Sequence, residues 1–260
     1  LFRSVASGLI KLDATLAELG IDDIGGLSDK EKQATVRDLL EARSGVYHPA
    51  ANSGDDSAHA PPRNSQTHGT YFLYNNWDFN ALGTIFEKQT GRNIYDAFES
   101  DLARPLGMED FDRAIQKKEG NRRKSIHLAY HIRISPRDLA RVGYLMLREG
   151  DWNGTQVVPR EWVKESTRIV TSASQMNSAA ARRGPLGYAY LWWVWDKPWA
   201  TGPFAGAYTG LGLGGQHLTV MPALDIVVAH ETPSSERNTH AEFRRLLELL
   251  ANARCAKAPC

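Results

Sequence analysis

Apolar residues recur at helical spacing through most of this chain and give way, towards its end, to short aromatic and β-branched runs. Ser28-Asp29-Lys30-Glu31 has the form of a capping box, in which Ser and Glu satisfy reciprocal backbone donors. With Val36, Leu39 and Leu40 behind it, this box predicts a helix from about Asp29 to Arg43. Phe79, Leu82, Ile85 and Phe86 fall on one face of a second helix, with Asn76 or Asp78 as its cap and Gly91 as its left-handed end. Ser135-Pro136-Arg137-Asp138 opens a third, since Pro at the first helical position forfeits no bond; Leu139, Val142, Leu145 and Met146 then face the core as far as Gly150. Pro159-Arg160-Glu161-Trp162 begins a shorter one in the same way.

After a small-residue stretch from Ser172 to Gly184, which reads as a surface loop, strands are predicted at Tyr188–Trp195, Gln216–Val220 and Ile226–Val228. Asn238 to Ala251 closes the chain as an amphipathic helix whose Phe243, Leu246, Leu247 and Leu250 are spaced to cover a sheet. Helices first, then strands and a closing helix, is an α+β order. It predicts one domain over residues 1–260, with a mostly helical lobe at 1–184 and a lobe of strands plus the last helix at 185–260. Between Ala50 and Gly69 runs a polar loop without periodicity, of a length that compact domains keep for function.

Composition narrows the classes. With 42% apolar and 23% charged residues the 260-residue chain is an ordinary globular protein. Lys plus Arg number 31 against 30 Asp plus Glu, and no basic run stands out, so nucleic acid is excluded as the expected partner. No apolar stretch approaches the roughly twenty residues of a membrane span. Leu1-Phe2-Arg3-Ser4 is not the start of a signal peptide, and the first residue is not Met, so the true N-terminus is expected further upstream. Cys255 and Cys260 lie in the polar tail, where a short-range disulfide is allowed and a catalytic thiol is not expected; an unimportant tail is the simpler reading.

Two segments could carry chemistry. Tyr74-Asn75-Asn76 places a phenol and a carboxamide at a helix mouth; a buried Tyr beside an ammonium group can have its pKa lowered and relay a proton from a hydroxyl nucleophile. The simpler alternative is that Tyr packs and Asn caps. Tyr208-Thr209-Gly210-Leu211-Gly212-Leu213-Gly214-Gly215-Gln216 is a glycine-rich turn feeding a strand. Glycines there let a substrate approach the backbone, and an edge strand can offer N–H donors to an oxyanion; a hairpin without function is the alternative. No helix follows, so this is not a phosphate cradle. His127 and His131 are four apart, as on a zinc-binding helix, but position 128 is Leu rather than Glu and no third ligand stands out, so no metal is predicted.

These landmarks together resemble the superfamily of class C β-lactamases, esterases and D-alanyl-D-alanine peptidases, over nearly the whole chain. Leu39-Leu40-Glu41-Ala42-Arg43-Ser44-Gly45-Val46 is similar to its helix-ending LL…SG segment, and Tyr74-Asn75-Asn76 to its Tyr-x-Asn element. Leu82-Gly83, Thr90-Gly91 and Pro105-Leu106-Gly107-Met108 follow in the family's order. So do Ser135 to Gly150, Trp152-Asn153-Gly154 and Val158-Pro159-Arg160-Glu161-Trp162-Val163. The glycine-rich turn resembles the third element, Lys-Thr-Gly in the lactamases. By letters its counterpart is Tyr208-Thr209-Gly210; counted back from Gln216 and Pro222 it is Gly210-Leu211-Gly212. The cation is absent, which removes the partner of a β-lactam carboxylate and points to an ester or amide instead.

The first element, Ser-x-x-Lys, is not found: no serine in the chain stands three residues before a lysine. Ser4 and Ser7 precede Lys11 by seven and four, and Gly8 interrupts the helix, so neither is the expected nucleophile. Gly8-Leu9-Ile10-Lys11-Leu12-Asp13 resembles the segment that follows the nucleophile helix, which places the expected Ser-x-x-Lys within about ten residues upstream of Leu1.

The resemblance implies a β-lactamase-like α+β fold, an antiparallel sheet flanked by helices, whose first strands and nucleophile lie in preceding sequence. It implies a serine hydrolase working through an acyl-serine intermediate, with Tyr74 as catalytic base or relay and Asn76, Thr209, Gly210, Gly212, Gly214 and Gly215 around a small ester, amide or peptide-like substrate. No cofactor is expected. The location it suggests is the periplasm or the exterior. A non-catalytic homologue that binds a ligand or partner in the same place is the alternative.

Overall fold

The computed structural model describes residues 2–177, 179–212, 214–232 and 239–256. In chain order it contains α1 (Phe2–Ala6), α2 (Val36–Leu40), α3 (Asn76–Thr90), α4 (Ile94–Phe98), α5 (Pro136–Leu147), β1 (Asp151–Trp152), β2 (Thr155–Gln156), α6 (Arg160–Thr167) and α7 (Ala179–Arg182). There follow β3 (Leu186–Tyr188), β4 (Trp193–Trp195), β5 (Tyr208–Gly212), β6 (Gln216–Met221), β7 (Ile226–His230) and α8 (His240–Cys255). Helices plus antiparallel sheets make this α+β, as the order of the patterns predicts. No helix among the described residues is long and apolar enough to cross a membrane.

The chain forms two compact units that interleave along the sequence. One comprises 1–105, 112–133 and 175–182; the other 106–111, 134–174 and 183–260. The reason lies in α5. Its small Gly143 sits where any side chain would collide with Val227 and meet Leu218, so this helix is pressed onto β6 and β7 and belongs with the sheet.

In the second unit the five strands lie in the order β3-β4-β5-β6-β7, all antiparallel. The alternation of side chains sends Leu218 and Val227 towards α5. The opposite face, with Met221, packs on Phe243, Leu247 and Ala251 of α8. Those three are four apart, so the helix turns Leu250 outwards, where it is 38% exposed, against the expected stripe. Thr239 caps α8 through a second capping box with Glu242. The tail position Cys260 lies outside the described residues.

Three further expectations are corrected. The helix predicted over Asp29–Arg43 is broken in two. The Ser28/Glu31 box forms, Ser28 N donating to Glu31 Oε2 at 2.8 Å and Glu31 N to Ser28 Oγ at 3.2 Å, but it caps only a single tight turn over Glu31–Gln33. Segment 14–17 captures the neighbouring backbone, with Ala17 N bonded to Lys32 O and Leu16 N to Ala34 O, and a new capping box at Thr35 with Asp38 then starts α2. The single strand predicted at Tyr188–Trp195 is a hairpin, β3 and β4, whose tip holds Leu191 at φ 62°. The stretch 172–184 contains a tight turn at Ala173–Gln175 and the short α7.

Asp138 explains the Ser-Pro-Arg-Asp motif. Ser135 caps α5 as predicted, accepting from Asp138 N at 3.2 Å. The buried Asp138 carboxylate then accepts from Glu109 N (3.0 Å), Asp110 N (2.7 Å) and Arg141 Nη1 (2.6 Å), fastening the segment after Leu106-Gly107-Met108 to the helix.

Candidate active site

Tyr74 stands at the mouth of α3, and the residues around it are fixed by polar bonds made at the first turn of that helix. Asn75 is the cap, one residue before the predicted positions: its Oδ1 accepts from Trp77 N at 3.0 Å and its Nδ2 donates to Val46 O at 2.8 Å. Ser44 Oγ donates to the buried Asp78 carboxyl at 2.6 Å, and burial pushes that carboxyl well up from the ordinary range. The Ser44-Gly45-Val46 segment is thereby stitched to the start of α3. Below it, the indole N–H of Trp77 donates at 2.7 Å to Asp23, which also accepts from Ser125, Ile126 N and Ile24 N.

The long polar loop is ordered for a physical reason. Arg63 clamps Glu31 through Nε (2.9 Å) and Nη2 (2.6 Å), and Ser28 and Lys30 hold Asn64. The earlier part of the loop lies across the top of α3. Asn76 Nδ2 donates to Ser53 O at 3.0 Å, Asn76 N to Asp55 Oδ2 at 3.1 Å, Asn80 Nδ2 to Asn52 Oδ1 at 2.8 Å, and Asp56 N to Tyr74 O at 2.9 Å. The structure therefore brings Tyr74 and Asn76 together and adds Asp55 and Asp56, which the sequence reading missed.

The Tyr74 ring is half-buried against Phe79, with centroids 5.0 Å apart. Burial raises the pKa of its phenol, and the carboxylates of Asp56 and Asp55 push it further in the same direction. A neighbouring ammonium group would lower it; the shift found here is the reverse, so at neutral pH the group is a hydroxyl. Burial likewise raises the Asp56 carboxyl.

In the second unit, β5 and β6 carry the glycine-rich element. Thr209 is 1% exposed, and its hydroxyl lies 2.8 Å from that of Thr219 across the ladder, so its side chain is committed to the sheet. Gly210 and Gly212 fall on the other face. A side chain at Gly212 would come within 2.8 Å of Gln216 Cβ, whereas at Gly210 only Trp192 stands within reach, at 3.9 Å. Gly214 and Gly215 take φ values of 86° and 99°, which only glycine adopts freely, and the Gly215 carbonyl lies 2.9 Å from His230 Nδ1. Leu213 lies outside the described residues. The β4–β5 ladder pairs Trp193 with Thr209 and Val194 with Tyr208 and stops there, so the backbone from Gly210 to Gly212 has no ladder partner on that edge among the described residues.

His127 and His131 do not share a helix face. His127 is buried between Thr84 Oγ1 (2.9 Å) and Asp22 O (3.1 Å), and His131 is exposed near Glu119. Ser4 is buried in α1, and Ser7 Oγ donates to its carbonyl at 3.2 Å.

The match that decides the family covers residues 2–253 of the chain and is to the Beta-lactamase family. The chain belongs to that family. Members of the Beta-lactamase family are typically hydrolases. An uncharacterized protein of Alkalihalophilus pseudofirmus is 33% identical over 99 residues, a stretch equal to 36% of this chain and 28% of that relative. Among solved structures, a Bacillus anthracis chain provisionally named a 6-aminohexanoate-dimer hydrolase superposes with a TM-score of 0.72 at 18% identity, covering 100% of this chain and 70% of that one. A mutant of simvastatin synthase from Aspergillus terreus gives a TM-score of 0.69 at 15% identity, covering 97% and 77%. At these identities the likeness is one of fold.

Proposed function

We propose that the protein carrying this chain hydrolyses an ester or amide through an acyl-serine intermediate. The observation that carries the proposal is the Tyr74-Asn75-Asn76 turn. Its middle residue is spent on capping, its first presents a half-buried phenol, and its third holds a carboxamide steadied by Ser53 O. A phenol whose pKa is raised serves as a neutral relay: it takes the proton of an attacking serine on Oη as it passes its own to a lysine, and no phenolate accumulates. The serine and lysine assigned to this step are those of a Ser-x-x-Lys pair in the sequence before Leu1, because no serine of the chain has lysine at that spacing. Asn76 would orient the substrate carbonyl or amide. The unladdered backbone of Gly210 to Gly212, continued by Gly214 and Gly215, would line the oxyanion side. Thr209, bonded to Thr219, supports that strand from its opposite face. The absence of a lysine in the third element favours an ester or amide over a β-lactam.

A fluorophosphonate probe applied to the full gene product, with the label located by mass spectrometry, tests this reading. A label on a serine of Ser-x-x-Lys before Leu1 is the expected result. A label on a serine within 1–260 would overturn the assignment of the nucleophile. No label on folded protein would favour a ligand-binding homologue, the reading suggested by the missing motif alone.

A further inference from the structure

Trp192 is used by none of the roles above, and its surroundings are unusual. It ends the turn between β3 and β4, where Ala189 N bonds to Trp192 O at 2.9 Å and Leu191 is held at φ 62°. Its indole is half-buried and meets Tyr208 edge-on, with centroids 5.2 Å apart. Tyr208 and Gly210 are two apart on β5 and share one face, so the indole lies beside the strip of sheet that Gly210 leaves uncovered.

Glycine at 210 is not required by packing. Its backbone is not in the left-handed region, and a methyl group there would find Trp192 at 3.9 Å, ordinary contact distance. At Gly212 and Gly143, by contrast, a methyl would collide with neighbours. What the missing side chain does at 210 is leave one side of an indole open, next to the edge where the β4–β5 ladder has ended. An aromatic wall bordering an uncovered strip of backbone suits an apolar group laid along the strand.

The geometry points to Trp192 as a specificity-determining residue whose indole, across Gly210, packs the apolar acyl chain of the substrate. This rests on the hydrolase reading above. It favours medium-length or aromatic acyl groups over acetyl, because a larger acyl group offers the ring more apolar surface to cover.

The test uses the full gene product and p-nitrophenyl esters from acetate to octanoate, which vary the acyl chain under a constant leaving group. The ratio of kcat/KM for octanoate to that for acetate should fall about tenfold or more in Trp192→Ala, recover in Trp192→Phe, and fall also in Gly210→Ala as the new methyl narrows the strip. Equal losses for both esters would mean that Trp192 only supports the fold, and would overturn the proposal. A second series, acetates of ethanol to octanol, varies the alcohol instead, and a loss in Trp192→Ala confined to that series would overturn the acyl assignment. If the unmodified protein hydrolyses no ester, the hydrolase reading fails instead. Octanoate binding by calorimetry then decides the subsite: weaker binding in Trp192→Ala supports it, and an unchanged Kd overturns it.

Discussion

His217 should make this fold sensitive to mild acid. It lies on β6, opposite Leu211 of β5 and His230 of β7, and is 1% exposed. Its ring stacks on Phe243 at 4.0 Å, with His240 at 5.3 Å and His230 at 5.9 Å, and neither ring nitrogen has a hydrogen-bond partner among the described residues. Burial, reinforced by His240 and His230, lowers its pKa from 6.5 to about 4. The sign follows directly. An unfolded chain takes up a proton near pH 6.5 that the folded chain refuses until about pH 4. The titration of His217 therefore costs nothing well above 6.5, and stability drains away as pH falls through the interval between the two values. At about 1.4 kcal/mol per pH unit the full loss is about 3 kcal/mol.

Urea unfolding at pH 7.5, 6, 5 and 4.5 measures this. Carboxylates held below their ordinary range, such as Asp23 and Glu31, lose their contribution at lower pH, while His127 and His240, lowered by burial, and Asp78 and Asp56, raised by burial, titrate alongside, so the part due to His217 is read as the difference between parent and variant. His217→Leu removes the titrating group and two unsatisfied nitrogens together. Its stability should be higher than the parent's at neutral pH, by about 1 kcal/mol, and flatter between pH 6.5 and 4.5. A His217→Leu protein with an unchanged slope, or one less stable at pH 7.5, would refute the reasoning.

Three other outcomes are expected. Tyr74→Phe keeps the packing on Phe79 but loses the relaying hydroxyl, so ester turnover by the full gene product should drop about a hundredfold or more; full turnover would remove Tyr74 from the reaction. Asp138→Ala leaves Arg141 and two backbone donors without their buried acceptor, and should cost about 3 kcal/mol in urea unfolding. Gly143→Ala drives a methyl into Val227 and Leu218, and should cost about 1–3 kcal/mol, where the same change at an open helical surface would be neutral or stabilising.

Much of the fold can be read from local signals because those signals are local in cause. Ser135 with Pro136 and Gly91 after α3 satisfy backbone groups of their own helices, and β6 and β7 pair with strands next to them in sequence, so nothing distant overrides them. The misreadings occur where a distant segment intervenes. The run Asp29–Arg43 has good helical letters throughout, yet the backbone of 14–17 takes donors and acceptors that a continuous helix would need, and Thr35 restarts it. Tyr188–Trp195 contains no glycine, proline or asparagine, so nothing in its letters marks the turn that Leu191 makes at φ 62°.

The candidate site divides along the same line. Tyr-x-Asn and the glycine run are visible as motifs, but a motif does not say which face of a strand a residue takes or what charge it will meet. Strand parity turns Thr209 towards Thr219, and the same parity leaves Gly210 beside Trp192. For Tyr74 the shift comes first from burial and then from Asp56 and Asp55, supplied by a loop whose letters have no period and whose placement depends on bonds to Asn76 N and Tyr74 O. A phenol raised by burial and by two carboxylates favours proton relay over standing phenolate. That choice follows from burial and the loop's placement, so removing the Asp55 carboxylate with Asp55→Ala, which also frees Asn76 N, should lower the turnover of esters by the full gene product without altering the Tyr74 side chain.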